Sequence, residues 1–533
     1  MALVETILLL LLAVVVSGAL ARMTRIALPL VQIALGAGVV LITGESVVLH
    51  PHLFFLLFLP PLLFLDGWRI PKEDLFRDRA FILEMALGLV VFTVLGVGLL
   101  IWWMIPAMPL GVAFALAAIL SPTDPIAVAA IAKRAPIPKR LMHVLEGESL
   151  LNDASGLVCM KFAVAAVLTG AFSITSAAGT FVWLAAAGIA VGVGVTLAIG
   201  FAKSFVTRRW GEDTGAQILV SLLIPFAAYL AAEHLHASGI LAAVAAGVTM
   251  SFTERSGAAL AVTRIRRTAV WDTVAFTANG VIFVLLGEQM PAIVSGAAEV
   301  ARTTGRGEVW WLGVYVVVIF AALALLRFAW VWTSLRLTLF RRKGEDRPKM
   351  GWRLVLVTSL AGVRGAITLA GILTLPLLMP DGSAFPARDL AIFLAACVIV
   401  ISLLTATLLL PRLLKGLELP PEPSSLERED LARTVAAGAA MQAIERAQHE
   451  IAADPEVVDI STEIAARLME AYRGRIVLRS GESEIDRGRL EAMEKHLRLV
   501  GLRAERAEIR KLAKARDIDE VIARKLIREI DLQ

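Results

Sequence analysis

Two short stretches bring carboxylates into apolar surroundings. In "LSPTDPIAVAAIAK", Leu120 to Lys133, Pro122 and Pro125 flank Thr123 and Asp124 inside a segment otherwise apolar enough to cross a bilayer. Each proline deletes a backbone N–H and crowds the preceding turn, so no regular helix runs through. Backbone freed at membrane depth must be buried in protein or line a cavity. A carboxylate placed there marks a functional site. The second stretch, "EGESLLNDASGLV" from Glu146 to Val158, lies near the start of the next apolar segment. On a helix, Glu148, Ser149, Asn152, Asp153 and Gly156 share an arc of about 140°. A face with two carboxylates, an amide and a hydroxyl does not meet lipid. Carboxylate, amide, hydroxyl and freed backbone oxygens are hard donors that suit a weakly held cation. The stretch has no thiolate and no histidine of its own, which argues against zinc or copper.

The elements that must position these residues are membrane helices. Hydrophobic residues make up 58% of the 533 and charged residues 19%, which excludes an ordinary soluble enzyme. Apolar runs of about 20 residues recur from Leu3 to Leu414, the pattern of a polytopic helical membrane protein. About thirteen spans are expected, near 4–20, 26–43, 52–66, 80–105, 109–132, 141–169, 178–203, 214–234, 238–252, 271–290, 310–335, 354–379 and 389–411. The first is read as a retained span, because Glu5 precedes it without any Lys or Arg, unlike a signal peptide. Cys159 and Cys397 fall within such runs and are read as small apolar residues, with no disulfide framework.

The loops give an orientation. With the N-terminus outside, the cytoplasmic loops collect Arg22 and Arg25, Arg69 to Arg79, Lys133 to Arg140, Lys203 to Arg209, Arg255 to Arg267 and the cluster Arg336 to Arg353. Arg412 and Lys415 follow the last span, and the opposite loops hold only Arg302, Arg306 and Arg388. This asymmetry places the C-terminus in the cytoplasm of a multi-pass plasma-membrane protein. The net charge of +5 lies in these loops and needs no nucleic acid as partner. Domains are accordingly expected at 1–415 (transmembrane), 416–425 (a proline-rich linker) and 426–533. The last is charged and helical, a regulatory or dimer-contact tail, with Ser424 and Glu427 spaced as a capping box.

"SPTDP" followed at this distance by "GESLLND" resembles the first cation:proton antiporter family, the sodium/proton exchangers. "FFLLFLPPLLFLDGW" (Phe54 to Trp68), "SGILAAVAAGVTM" (Ser238 to Met250) and "AGVRGAITLA" (Ala361 to Ala370) are similar as well, and the likeness covers nearly all of 1–415. The resemblance implies that Asp153 carries ion and proton, with Na+ held at Asp153, Asp124, Ser149 and Thr123 and Asn152 in support. It also implies two inverted repeats with two discontinuous helices crossing at the midplane, a homodimer, and no cofactor beyond the transported Na+ and H+. The spans agree, because "SPTDP" in the fifth matches the glycine-flanked "GVRG" around Arg364 in the twelfth, and broken segments at matching positions mark a transporter's site.

Each residue has a blander alternative. Asp124 could simply cap a half-helix N-terminus. Glu148 is read as a buried counter-ion of Arg327, in the eleventh span, or of Arg364, in the twelfth; the sequence leaves the choice open. Lys161 is expected to snorkel or pair locally, and Asp66, Glu84 and Asp272 to sit at span ends near the interface.

A single carboxylate that either a proton or a cation neutralises makes exchange obligatory if the empty charged form cannot cross. Asn152 rather than a second Asp precedes it, so one ion for one proton is expected, an electroneutral exchange. Rival readings are a potassium/proton exchanger using the same oxygens, a cation channel with a regulatory tail, and a membrane enzyme. The channel lacks a filter-like motif, and the seven histidines stand at no metal or triad spacing within the central spans.

Overall fold

The computed structural model describes residues 2–44, 51–70, 83–124, 128, 139–170, 174–254, 260–303, 308–341, 352–415, 425–451, 458–477, 484–515, 518 and 520–531. The expected continuation of the fifth span over 125–132, the linker 416–424 with its capping Ser424, and loop residues such as Lys72, Arg134 and Arg255 lie outside them, Val128 excepted. The described residues are helices and their connections, with one isolated β-bridge between Leu378 and Ala384. The chain divides into two compact units, Met1–Leu419 and Pro420–Gln533.

In the first unit the helices are α1 (Ala2–Thr24), α2 (Leu28–Thr43), α3 (Pro51–Arg69), α4 (Leu89–Met104) after a π-helical turn at Glu84–Gly88, α5 (Leu110–Leu120) and α6 (Lys139–Thr169). There follow α7 (Ile174–Trp210), α8 (Thr214–His234), α9 (Gly239–Glu254), α10 (Ala261–Ser295), the short α11 (Ala297–Thr303) and α12 (Trp310–Arg341). The half-helices α13 (Trp352–Leu360) and α14 (Ala366–Leu373) precede α15 (Arg388–Leu414). Eight helices among the described residues are each long and apolar enough to cross a membrane. The shorter α2, α5 and α9 are apolar too.

Local sequence explains the boundaries. Asp213 caps α8 by accepting from the Gly215 N–H at 2.8 Å, satisfying a donor the helix leaves open. Gly44, with φ of 69°, ends α2 in the left-handed conformation that glycine adopts without penalty. The expected tenth span began at residue 271, but α10 starts ten residues earlier at Ala261. Its amphipathic first turns bury Arg267 against Glu254, whose other oxygen accepts from Trp68 Nε1 at 2.7 Å. Arg267 is therefore a helix residue and not the loop residue that its charge implied.

Packing sorts the first unit into two groups of helices. One contains α1 to α3 and α7 to α10; the other contains α4 to α6 and α12 to α15. They meet where α3 touches α6 and α14, where α10 touches α14 and α15, and where α2 touches α15 and α9 touches α6. The apolar α5 is buried on nearly all sides, as a helix without a polar face must be. It lies at the centre of the second group and ends at the first break.

The second unit consists of α16 (Ser425–Ile451), packed on α17 (Val458–Val477), and α18 (Glu484–Ala515), packed on α19 (Glu520–Asp531). Among their described side chains, the buried apolar ones are Ala437, Ala465, Ala523 and Ile530.

Candidate ion-binding site

The two breaks meet. After Leu120 the chain leaves the helix through Ser121 to Asp124, and after Leu360 it does so through Ala361 to Gly365. The Asp124 N–H donates to the Val363 carbonyl at 2.7 Å, so each break satisfies backbone that the other leaves open. Arg364 completes the crossing. Its Nε donates to the Leu120 carbonyl at 2.9 Å and its Nη1 to that of Gly362 at 2.5 Å, while its own N–H donates to Ser402 Oγ at 3.2 Å. A buried guanidinium at the C-terminal end of α5 satisfies an orphan carbonyl and offsets the negative end of the helix dipole.

Glu148 belongs to the other arginine. Arg327 Nη1 and Nη2 donate to its two oxygens at 2.5 and 2.7 Å, a bidentate pair with both side chains buried. Arg327 Nε also donates to the Thr358 carbonyl at 3.2 Å, which fastens α12 to the last turn of α13. The choice the sequence left open falls on Arg327, whose fork faces α6 across the helix group, whereas Arg364 is occupied by helix-end carbonyls.

Asp153 lies one turn above Ser149 on α6, whose Oγ donates to its Oδ2 at 3.5 Å; both are buried. Asn152 Nδ2 donates to Thr123 Oγ1 at 3.1 Å and to Glu148 Oε1 at 3.5 Å. Glu148 only accepts, so the amide nitrogen faces it, and Asn152 Oδ1 is left buried without a hydrogen bond. The end of α5 and the first break approach α6 closely at Gly156, where a Cβ would stand 2.8 Å from the Ala118 carbonyl oxygen and 2.5 Å from Pro122 Cγ.

Thr123, Asp124, Ser149 and Asp153 line one cavity of about 20 Å³, room for one water or a small ion. Glu148, Asn152, Arg327 and Arg364 do not line it; they hold its walls. Three further polar residues do: Asp66 of α3, Asn279 of α10 and Thr368 of α14, along with Leu62, Pro122, Gly365 and Ile367. Asp66 is a correction, since the sequence reading put it at the interface. Helix α3 continues to Arg69, past the expected end at 66, which leaves Asp66 on the cavity face one turn beyond Leu62. The same reading fits Asp272 better, since this exposed carboxylate pairs with Arg69. Lys161 pairs with Glu233 at 3.6 Å. Asn279 is the amide within "FTANGVIF" of the tenth span, a polar residue in an apolar stretch and the one sequence signal that points to it.

A cavity lined by carboxylates and hydroxyls, set where two helix breaks meet inside a bundle of apolar helices, defines a secondary transporter. The chain belongs to the sodium/hydrogen exchanger family, whose members are cation/proton antiporters: the family described as "Sodium/hydrogen exchanger, transmembrane" matches residues 8–416. An Escherichia coli protein described as an uncharacterized Na(+)/H(+) exchanger, YjcE, is 41% identical over 99% of this chain and 97% of its own length. A sodium, potassium, lithium and rubidium/H(+) antiporter of Bacillus pumilus is 38% identical over 93% of this chain and 72% of its own. Among solved structures, the sodium proton antiporter MjNhaP1 of Methanocaldococcus jannaschii shares the fold, with a TM-score of 0.57 at 17% identity over 78% of this chain and 99% of that one.

Proposed function

We propose that this chain exchanges Na+ for H+ by alternating access, one ion for one proton, with Asp153 as the carrier. The observation that supports this most directly is the placement of Asp153. It is buried beside the crossing of two breaks, with Ser149, Thr123 and Asp124 on the same small cavity. An aspartate in water titrates near ~3.9; burial disfavours its charge and a bound cation favours it, so proton and cation compete for one group. Hard oxygens from two hydroxyls and the carboxylates suit Na+. The second helix group, carrying both breaks and Asp153, rocks against the group of α1 to α3 and α7 to α10.

The protein acts in the plasma membrane as a homodimer of thirteen-span protomers, N-terminus outside and C-terminal unit cytoplasmic, the arrangement that the loop arginines favour. Potassium is the second reading, because the Bacillus relatives are described as antiporters of sodium, potassium, lithium and rubidium. The test is a proteoliposome assay of proton movement driven separately by Na+, K+, Li+ and Rb+. Exchange with Na+ at the lowest half-saturating concentration supports the reading; proton movement with K+ but not Na+ replaces it with the second.

A further inference from the structure

The cavity is walled on one side by the second helix group and on the other by three residues of the first, Leu62, Asp66 and Asn279. Asn279 differs from every other ionophoric side chain there in carrying an oxygen that never titrates without also being a hydroxyl. Its Nδ2 donates to the Ala275 carbonyl one turn back at 2.9 Å. That carbonyl can only accept, so turning the amide over would set oxygen against oxygen. The nitrogen is therefore committed to its own helix, and no hydrogen bond among the described residues engages Oδ1. The helix that carries it is firmly seated. At Gly287 of α10 a Cβ would stand 1.9 Å from the Ile33 carbonyl oxygen, and at Gly36 of α2 one would stand 1.9 Å from that of Val284. Backbones that approach this closely leave α10 little freedom to shift against α2.

We infer that Asn279 is a cation ligand, supplying a neutral carbonyl oxygen from the helix group opposite Asp153. This deepens the antiport reading and rests on it. Its chemistry separates the two competing ions. A proton on Asp153 is bound covalently to the carboxylate and gains little from a distant amide, whereas a bare monovalent cation needs several oxygens at once. A carboxylate in this place would bind a proton as well as the cation. The amide raises cation affinity alone, and so biases the competition at Asp153 toward the cation.

The test is Asn279→Ala in proteoliposomes, with Asn279→Leu, which matches the side chain in size but lacks the oxygen, as a second variant should the first be unstable. The half-saturating cation concentration is expected to rise on the order of tenfold, the loss of one contact to a charge, with the maximal rate kept. The pH of half-maximal rate, measured at cation concentrations scaled to each variant's KM, is expected to stay unchanged. A residue that only props the helix would shift both. In detergent, the NaCl concentration giving half of the cation-induced Tm shift should rise by the same factor. Unchanged KM and unchanged Tm titration in both variants overturn the assignment. Failure of the wild type to exchange Na+, K+, Li+ or Rb+ for protons would instead remove the antiport reading beneath it.

Discussion

The backbone N–H of Asp124 donates to the Val363 carbonyl, so the break that ends α5 is bonded to the break between α13 and α14, far away in sequence. The bond puts the Asp124 carboxylate directly against Gly365, where a Cβ would lie 1.8 Å from Asp124 Oδ2. Two gaps that cross in this way supply buried, polar, non-helical backbone without exposing any of it to lipid.

Gly365→Ala follows from that contact. The added methyl must displace the Asp124 carboxylate or part the two breaks. The expected outcome is a protein that inserts and remains folded but exchanges at least about tenfold more slowly, read by proton flux in proteoliposomes. A rate within twofold of wild type would mean that Asp124 has another position to occupy.

Asp153→Asn removes the carrier charge while nearly keeping its shape. Exchange should vanish, and the purified protein should elute and melt like the wild type. Sodium-driven proton movement by this variant would assign the carrier elsewhere in the cavity, with Asp66 and Asp124 the remaining carboxylates on its wall.

Breaking the Arg327–Glu148 pair is expected to act on stability. Glu148→Ala leaves a buried guanidinium without its carboxylate, a loss of about 3–5 kcal/mol. The melting temperature should fall sharply, with the half-saturating sodium concentration of the surviving folded fraction nearly unchanged. A collapse in sodium affinity at an unchanged melting temperature would make Glu148 a ligand.

Asp66→Asn separates the cavity from the interface. A carboxylate at a span end can be neutralised with little effect, whereas one on the cavity wall contributes to holding the ion. We expect a higher half-saturating cation concentration with thermal stability retained. An unaltered transport curve would return Asp66 to the role its sequence position implied.

Voltage reports the stoichiometry. If one proton replaces one cation on Asp153, both loaded forms carry the same charge and the exchange equilibrium is indifferent to potential. An uncompensated charge would feel ~2.3 kcal/mol per 100 mV. With a valinomycin-set potential, and potassium shown not to be transported, the sodium/proton balance point should not move. A shift would demand a second titrating carboxylate.

Much of this was legible along the chain because bilayers demand it. Among the described residues the expected spans fall on helices, the fifth on α5 as far as its break and the twelfth on the pair α13 and α14, since an apolar run of that length has few other uses. The prolines of "SPTDP" and the glycines of "GVRG" marked both breaks, and the helical arc from Glu148 to Asp153 placed its polar residues on the buried side. What sequence could not supply was the far wall. Asp66 stands beside Trp68 and Arg69, which made it resemble an interfacial residue, and Asn279 is one amide in a long apolar helix. Only packing of α3 and α10 on the second group decides that both face Asp153. Likewise, either arginine satisfied the demand of Glu148 for a partner until the Leu120 carbonyl claimed one of them.

The crossing also has a birth order. Leu120 and the arginine that caps it are 244 residues apart. At ~5–20 residues per second, roughly 12–50 s of synthesis separate the two. Throughout that interval the first gap sits in the nascent protein with its amide and carbonyl unanswered, at a depth where lipid offers neither donor nor acceptor. Water, the insertion machinery or a chaperone has to shelter it. A chain that ends before Val363 therefore lacks both groups that answer the first gap, the Val363 carbonyl and the Arg364 guanidinium.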